Sequence, residues 1–516
     1  MPESNDWFSV LISDTSILQK FFREGDRAMT GKMTGKNRKR CARRLAAGGI
    51  GLLVVLGLAV LSVPYVAADQ TDQYGYTYGP SGIVSSVPGF VLSRTVDTAE
   101  APLQSVDDLA TGGGQLYISD ALAAAVYVYD GQTYAYKATI AASDETPFVA
   151  PKGLYHSEFF NELYIADPEA GAIFVLDAAT YAHKRTITRP GNMAGDTNFA
   201  PYRVAVDSIG RFYIVVQGSY EGILELNPDG GFSRYVGVNK PKVDLIEYFW
   251  RSLASDEQKK QMTKAYAPSF NGVDVDSEGF IFAVTGDSSS EQKIFRFNAK
   301  GSNVIRAEGY NALEGDSAKY FEHSETTSVF CDVAATGFGT YAVLDRQNGR
   351  VFVYDFDGYL LTVFAGKGHV KGQLAEASAL AWNGYTLLVG DKQRGAVYVY
   401  TTTNFGQAAL QAVENYNRGQ WSAATDCYRQ ALEYNANYYA GYSGIGRNCL
   451  MERDFEQAVY YYKLAQDDAG YSQAYHGYRG IWIQKYFGWI AVAVLLAATA
   501  FILTEVRYAR RKGEGA

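Results

Sequence analysis

Six times between residues 108 and 401 the chain repeats a short unit, two alternating apolar and aromatic runs joined across a polar turn. The copies are LYISD…AVYVYD (116–130), LYIAD…AIFVLD (163–177), FYIVV…GILELN (212–227), FIFAV…KIFRFN (280–298), TYAVLD…RVFVYD (340–355) and TLLVGD…AVYVYT (386–401). Alternation with period two reads as β-strands. A two-strand unit cannot bury its own faces, so its recurrence requires the copies to stack on one another, radially or in a line.

A weaker inner run precedes each pair, at Asp108, Gly153, 203–207, 273–276, Asp332 and 379–382, and an outer run follows five of them, at 136–140, 183–187, 232–236, 303–307 and 360–364. Four short antiparallel strands per repeat predict the blades of a six-bladed, mainly β propeller. The sixth unit lacks an outer run, because 401–403 leads straight into a helical pattern. Residues 90–96 have the missing composition, so they are expected to complete blade six and close the ring, leaving no free edge. The aromatic-x-aliphatic-x-Asp strand followed by a second run ending in Asp, as in 163–177 and 340–355, resembles the NHL repeat. Units three and four depart from it, with Val216 and Gly286-Asp287 in place of the Asp. The resemblance spans about 87–401 and implies a fold. It implies no single activity, because NHL-type propellers include ligand-binding sensors, protein-binding modules and metal-dependent lactonases or lyases.

Asp120, Asp167, Asp345 and Asp391 recur at one position, where a carboxylate is expected to cap the following turn. Asp108, Arg203, Asp274 and Asp332 differ between blades on the innermost strand. They are the candidate binding residues at the channel mouth, with solvated lining as the alternative. The insert 238–269 between blades three and four carries an apolar stripe of Leu245, Phe249, Trp250 and Leu253, expected to be helical and to lie over that mouth. Phe249 and Trp250 are its candidate partner-docking anchors. The five His residues are scattered, and no nucleophile elbow, zinc-protease helix, P-loop or dinucleotide fingerprint occurs, so no catalytic residue is assigned. No cofactor is expected. A lactonase-like Ca²⁺-type ion on Asp108, Asp274 or Asp332 is the enzymatic alternative.

Two apolar stretches bound the repeats. Residues 45–68 carry no charge and follow seven cations between Lys32 and Arg44; 485–505 is followed by Arg507, Arg510, Arg511 and Lys512. Basic flanks face the cytoplasm, which predicts two transmembrane helices, a cytoplasmic basic segment 1–44, an extracytoplasmic middle and a cytoplasmic tail 506–516. Val66-Ala67-Ala68 also suits a cleavage site, so 45–68 is either a retained anchor or a leader, the latter favoured if translation starts at Met29 or Met33. Of 47 cations and 55 anions, the middle keeps 32 and 48, a net charge of −16 that disfavours nucleic acid as a partner. The chain contains no Asn-x-Ser/Thr site, which fits a bacterial envelope. Cys331, Cys427 and Cys449 are expected to be buried thiols, a Cys427–Cys449 disulfide being the alternative.

After the propeller segment 69–403, Ala424, Tyr428 and Ala431 recur 34 residues later as Ala458, Tyr462 and Ala465. The pattern in 405–480 resembles the tetratricopeptide repeat, which implies helical pairs with a concave face for peptides, or a spacer. Together these features predict a membrane-anchored scaffold or sensor that binds a protein, peptide or glycan, with a membrane-protein partner. An accessory ligand-binding subunit of a sugar or envelope-polymer transporter is the alternative, marked by aromatic residues converging at the channel.

Overall fold

Alternating apolar residues leave each predicted strand with two faces to bury, and in the computed structural model they do so by forming six sheets around a common axis. The structure describes residues 75–193, 199–237, 269–287, 290, 292–317 and 327–513. The first apolar stretch, the basic segment before it, and the insert with Phe249 and Trp250 lie outside the described residues.

Blade one comprises Asp108–Gly112, Gln115–Asp120, Ala125–Asp130 and Tyr136–Ala141, and blades two and three repeat this order from Gly153–Ser157 and Pro201–Val206. The inner strands touch in sequence from blade one to blade six and back to blade one, so the ring is closed. Closure uses the N-terminal strand Phe90–Thr95, which pairs antiparallel with Ala396–Thr402 as the fourth strand of blade six. Blade four differs from expectation. Its sheet has three strands, Phe270–Val275, Ile281–Thr285 and Ile294–Phe297, and the run at 303–307 contributes only a bridge between Phe297 and Asn303. Blade five is instead enlarged by a hairpin, Tyr76–Gly79 and Gly82–Ser85, added outside Leu360–Ala365.

The recurrent Asp residues explain how the blades hold their spacing. Asp167 is fully buried; one oxygen accepts from Glu169 N and Ala170 N in its own turn, and the other from Val149 N and Ala150 N in the link entering the blade. Asp120, Asp345 and Asp391 are buried in the same role, each accepting from its turn and from the incoming link. The carboxylate therefore ties turn to link as well as capping the turn. Blade four has Thr285 at this position, whose hydroxyl donates to Ser269 O at 2.8 Å.

Five helices follow: α1 (Asn404–Asn417), α2 (Trp421–Tyr434), α3 (Tyr439–Met451), α4 (Phe455–Ala465) and α5 (Asp468–Gly513). Thr403 caps α1 through its side chain, and Asp454 caps α4. Tyr428 and Tyr462 fill the spaces over Gly444 and Gly446 of α3, where a Cβ would meet the rings at 2.4 and 3.0 Å. α1 and α3 face the propeller, and one hydrophobic cluster runs from Leu344, Val353 and Leu361 of blade five through Phe405 and Leu410 to Tyr438 and Ile445. Arg447 of α3 is buried, pairs with Asp355 at 3.0 Å and with Asp357, and lies over the Tyr359 ring. The face expected to offer a groove is thus covered by the protein's own blade. The Cys residues of this region, Cys427 and Cys449, are free thiols.

α5 packs on α4 through Tyr471, Ala474 and Gly477, and continues without a break into its apolar half. Asp468–Arg510 is the one helix among the described residues long and apolar enough to cross a membrane, with a mean hydropathy of 2.3 over its most apolar window.

Candidate functional site

Blade packing forces the inner strands close together, and their side chains decide whether the axis stays open. Six residues share one level of the channel, each paired with the penultimate position of the neighbouring strand: Asp108, Gly153, Arg203, Gly272, Asp332 and Ala379. Charged residues alternate with small ones. The small ones are required, because a Cβ on Gly153 would lie 2.6 Å from Tyr202 O and one on Gly272 would lie 2.9 Å from Asp332 Cα.

Arg203 reaches across the axis from blade three. Its Nη1 lies 2.5 Å from Asp108 Oδ1 on blade one, and its Nη2 donates to Ser378 O on blade six at 2.9 Å. The two carboxylates at this level stitch blades together. Asp108 Oδ2 accepts from Leu154 N, and Asp332 Oδ2 accepts from Leu380 N, both at 2.8 Å and both from the next blade. Asp274 does the same two residues further along its strand, accepting from Ala335 N at 2.8 Å as well as from Val275 N. Asp274 has no ion-pair partner among the described residues.

A cavity of about 690 Å³ extends from this level to the hairpin turns of the inner strands, with Glu158, Phe159, Ser208, Ser277 and Gly337 at its rim and Tyr155, His156 and Trp382 in its wall. It is therefore open on the face of these turns and narrowed at the other end by Arg203. This corrects the expected placement of the sequence candidates. Asp108, Arg203 and Asp332 are brought together, but at the constricted end, and Asp274 lies in the wall between it and the mouth. The insert bearing Phe249 and Trp250 leaves from Gly237 and returns at Ser269, and Ser269 lines a separate recess of about 230 Å³ with Tyr202, Gln217, Asn271 and Arg346. The attachment points sit with the Asp-bearing turns, on the face opposite the cavity mouth, because outer strands end and inner strands begin there.

Burial sets the electrostatics. It pushes Asp274 up to about 7, the two backbone N–H groups opposing it only in part. Burial likewise raises Asp332 to about 7 against the pull of Arg203, and raises Asp108. Burial opposes the charge on Arg203, but Asp108 and Asp332 outweigh it and keep the guanidinium protonated. His156 is 8% exposed, its pKa is lowered by burial, and it stacks on Tyr117 with centroids 5.8 Å apart. Neither of its ring nitrogens has a hydrogen-bond partner among the described residues, and neither does Arg203 Nε. Tyr155, His156 and Trp382 were not singled out by the sequence; the only signal was that Tyr-His replaces small residues after Gly153-Leu154 on an inner strand.

A carboxylate-bound metal is poorly matched to this arrangement. No three His, Cys, Asp or Glu residues converge as ligands among the described residues. Among the described residues, His156 bonds no hydroxyl, thiol or amine that it could activate.

No family model matches the chain, and no curated protein matches it. Solved propellers do. The chain is similar to virginiamycin B lyase from Staphylococcus aureus at 10% identity and a TM-score of 0.37, covering 64% of this chain and 89% of that one. It is similar to the β-propeller domain of Cps50 (Swd1) from Myceliophteria thermophila at 12% and 0.37, covering 61% and 100%, and to the RRP9 WD40 repeats at 13% and 0.38, covering 64% and 95%. Similarity at this level does not extend to activity.

Proposed function

We propose that the protein is a membrane-tethered, extracytoplasmic binding protein whose propeller takes a small molecule, or the end of a larger one, into its channel. One observation carries this reading: the cavity is constricted at Arg203, open at the other end, and combines aromatic residues with a carboxylate that lacks a cationic partner among the described residues. Its volume falls in the range of small-molecule sites. Two further features support it. The helices of 405–480 bury α1 and α3 against blade five in one hydrophobic cluster, so that side is not open to a peptide. α5 joins the packed helices to the apolar segment with no linker, so a bound ligand would be presented at a fixed height above the bilayer.

A protein-binding scaffold is the second reading, favoured by Phe159 and Ile209, which are 74% and 63% exposed on the turns of adjacent blades at the cavity end. The two readings separate experimentally. Full-length protein in lipid nanodiscs would be screened by thermal shift against a metabolite and oligosaccharide library. Compounds that raise Tm are expected, and Ser277→Trp at the rim should abolish their effect. The absence of any such compound, or indifference to Ser277→Trp, together with capture of a protein partner that Phe159→Ala abolishes, would replace this reading with the scaffold.

A further inference from the structure

Charge is spread unevenly along the channel, and the inference drawn from it rests on the binding reading above. Two residues beyond the constricted level, the inner strands bring Ala110, Tyr155, Ala205, Asp274, Ala334 and Ala381 to one height, each at the equivalent register position of its blade. Four alanines leave room there. Asp274 and Tyr155 are the only longer side chains at this level, and where Arg203 and His156 are buried, these two keep part of their surface accessible as they line the cavity. Each Asp274 oxygen accepts one backbone N–H and retains a further lone pair.

Six carboxylates line the cavity, those of Asp108, Glu158, Asp207, Asp274, Asp276 and Asp332, against one lining cation, Arg203. Arg211 pairs with Asp207 and Arg296 with Asp276, and with both included the ionised site still holds six anions to three cations, a net charge of −3. Arg203 is itself held by Asp108 at 2.5 Å, with Asp332 adding to the pull on it. Protein walls focus such a field along an open cleft, so it selects by sign without a contact to every carboxylate. An anion is repelled, and a neutral molecule gains nothing from the field. A cation is drawn inward to a carboxylate that still has lone pairs, past Phe159 at the rim and beside Tyr155 and Trp382, aromatic residues of the kind that attract cations. From this excess of carboxylates and the accessible level shared by Asp274 and Tyr155, we infer that the cavity binds an organic cation, with a primary ammonium group donating to Asp274 and its apolar part lying along Tyr155.

The test uses full-length protein in lipid nanodiscs. Phenethylamine would be titrated by calorimetry at pH 8, where Asp274 is ionised, beside 2-phenylethanol and 3-phenylpropionate as neutral and anionic counterparts of similar shape. The amine should bind with a Kd of millimolar or below and about tenfold or more tighter than either counterpart. Asp274→Asn should weaken it about tenfold or more while keeping a cooperative thermal transition. Around Asp274 stand Asp108 and Asp276, whose charges oppose its ionisation, with Tyr155 at its own level and Arg203 and Asp332 one level away. Lowering the pH to 5.5 returns the proton to Asp274 and should weaken the amine by a similar factor, a readout that serves even if Asp274→Asn does not fold. Equal or tighter binding of the alcohol or the carboxylate, or an amine affinity unmoved by Asp274→Asn or by pH, overturns the cation inference and leaves the cavity a ligand site. If none of the three probes binds, the cation inference falls, and the binding reading stands or falls separately with the library screen above.

Discussion

Asp274 holds a carboxylate that burial disfavours and that no cation among the described residues pairs with, a cost that a purely structural position would be expected to avoid. Its raised pKa fixes the sign of a pH effect. Unfolded, the group ionises near 4; folded, it keeps its proton to about 7. The native state thus binds more protons across that window, and its stability falls as pH rises from about 4 to 7. Asp274→Asn removes this term while leaving a side-chain oxygen for Ala335 N. The amide can accept only one of the two N–H bonds, so the expected reading is the change with pH: relative to its difference from the parent near pH 4, the variant should gain roughly 2 °C or more at pH 8. Equal Tm differences at both pH values, read by differential scanning calorimetry, would show that burial does not strain the carboxylate. Stabilisation on removing a side chain is the pattern expected of a residue retained for binding.

At the level of elements, two contacts bear most of the architecture, and each has a distinct consequence. Phe90–Thr95 supplies the last strand of blade six from the opposite end of the propeller segment, so its removal would expose the backbone edge of Ala396–Thr402. A chain beginning at Ala99 should aggregate or unfold at markedly lower temperature than the parent, as followed by light scattering during a thermal ramp. Arg447 couples helices to propeller through Asp355 and Asp357, all buried. Arg447→Ala leaves buried Asp355 without its cation and Asp357 with only the exposed Arg306, and should cost about 3 kcal/mol or more in denaturant unfolding. Replacement of an exposed pair such as Arg429 and Asp426 should cost under about 1 kcal/mol.

Across the whole molecule, continuity of α5 makes the head and the apolar segment one mechanical piece. The helix is about 69 Å long at 1.5 Å per residue, and it still packs on Phe455 of α4 at Gly477, only a few turns before Trp489. If this segment crosses the membrane with the propeller outside, a membrane-impermeant maleimide applied to intact cells should label Phe159→Cys and spare Lys512→Cys. Labelling at position 512 would reverse or abolish the anchor.

The number of blades, the strand that closes the ring and the 34-residue helical period were legible in the sequence, because each is written in local alternation that a strand or helix cannot avoid. The capping role of Asp120, Asp167, Asp345 and Asp391 was legible for the same reason, since a carboxylate two or three residues before a backbone N–H acts locally. The charged inner-strand residues could be listed, but not the end of the channel they occupy. That depended on Arg203 spanning from blade three to blades one and six, a contact between residues separated by 95 and 175 positions. The hairpin added to blade five, the shortened blade four and the covered face of α1 and α3 were likewise decided by tertiary packing. Edges and apolar faces find their partners only once the ring has brought distant segments together.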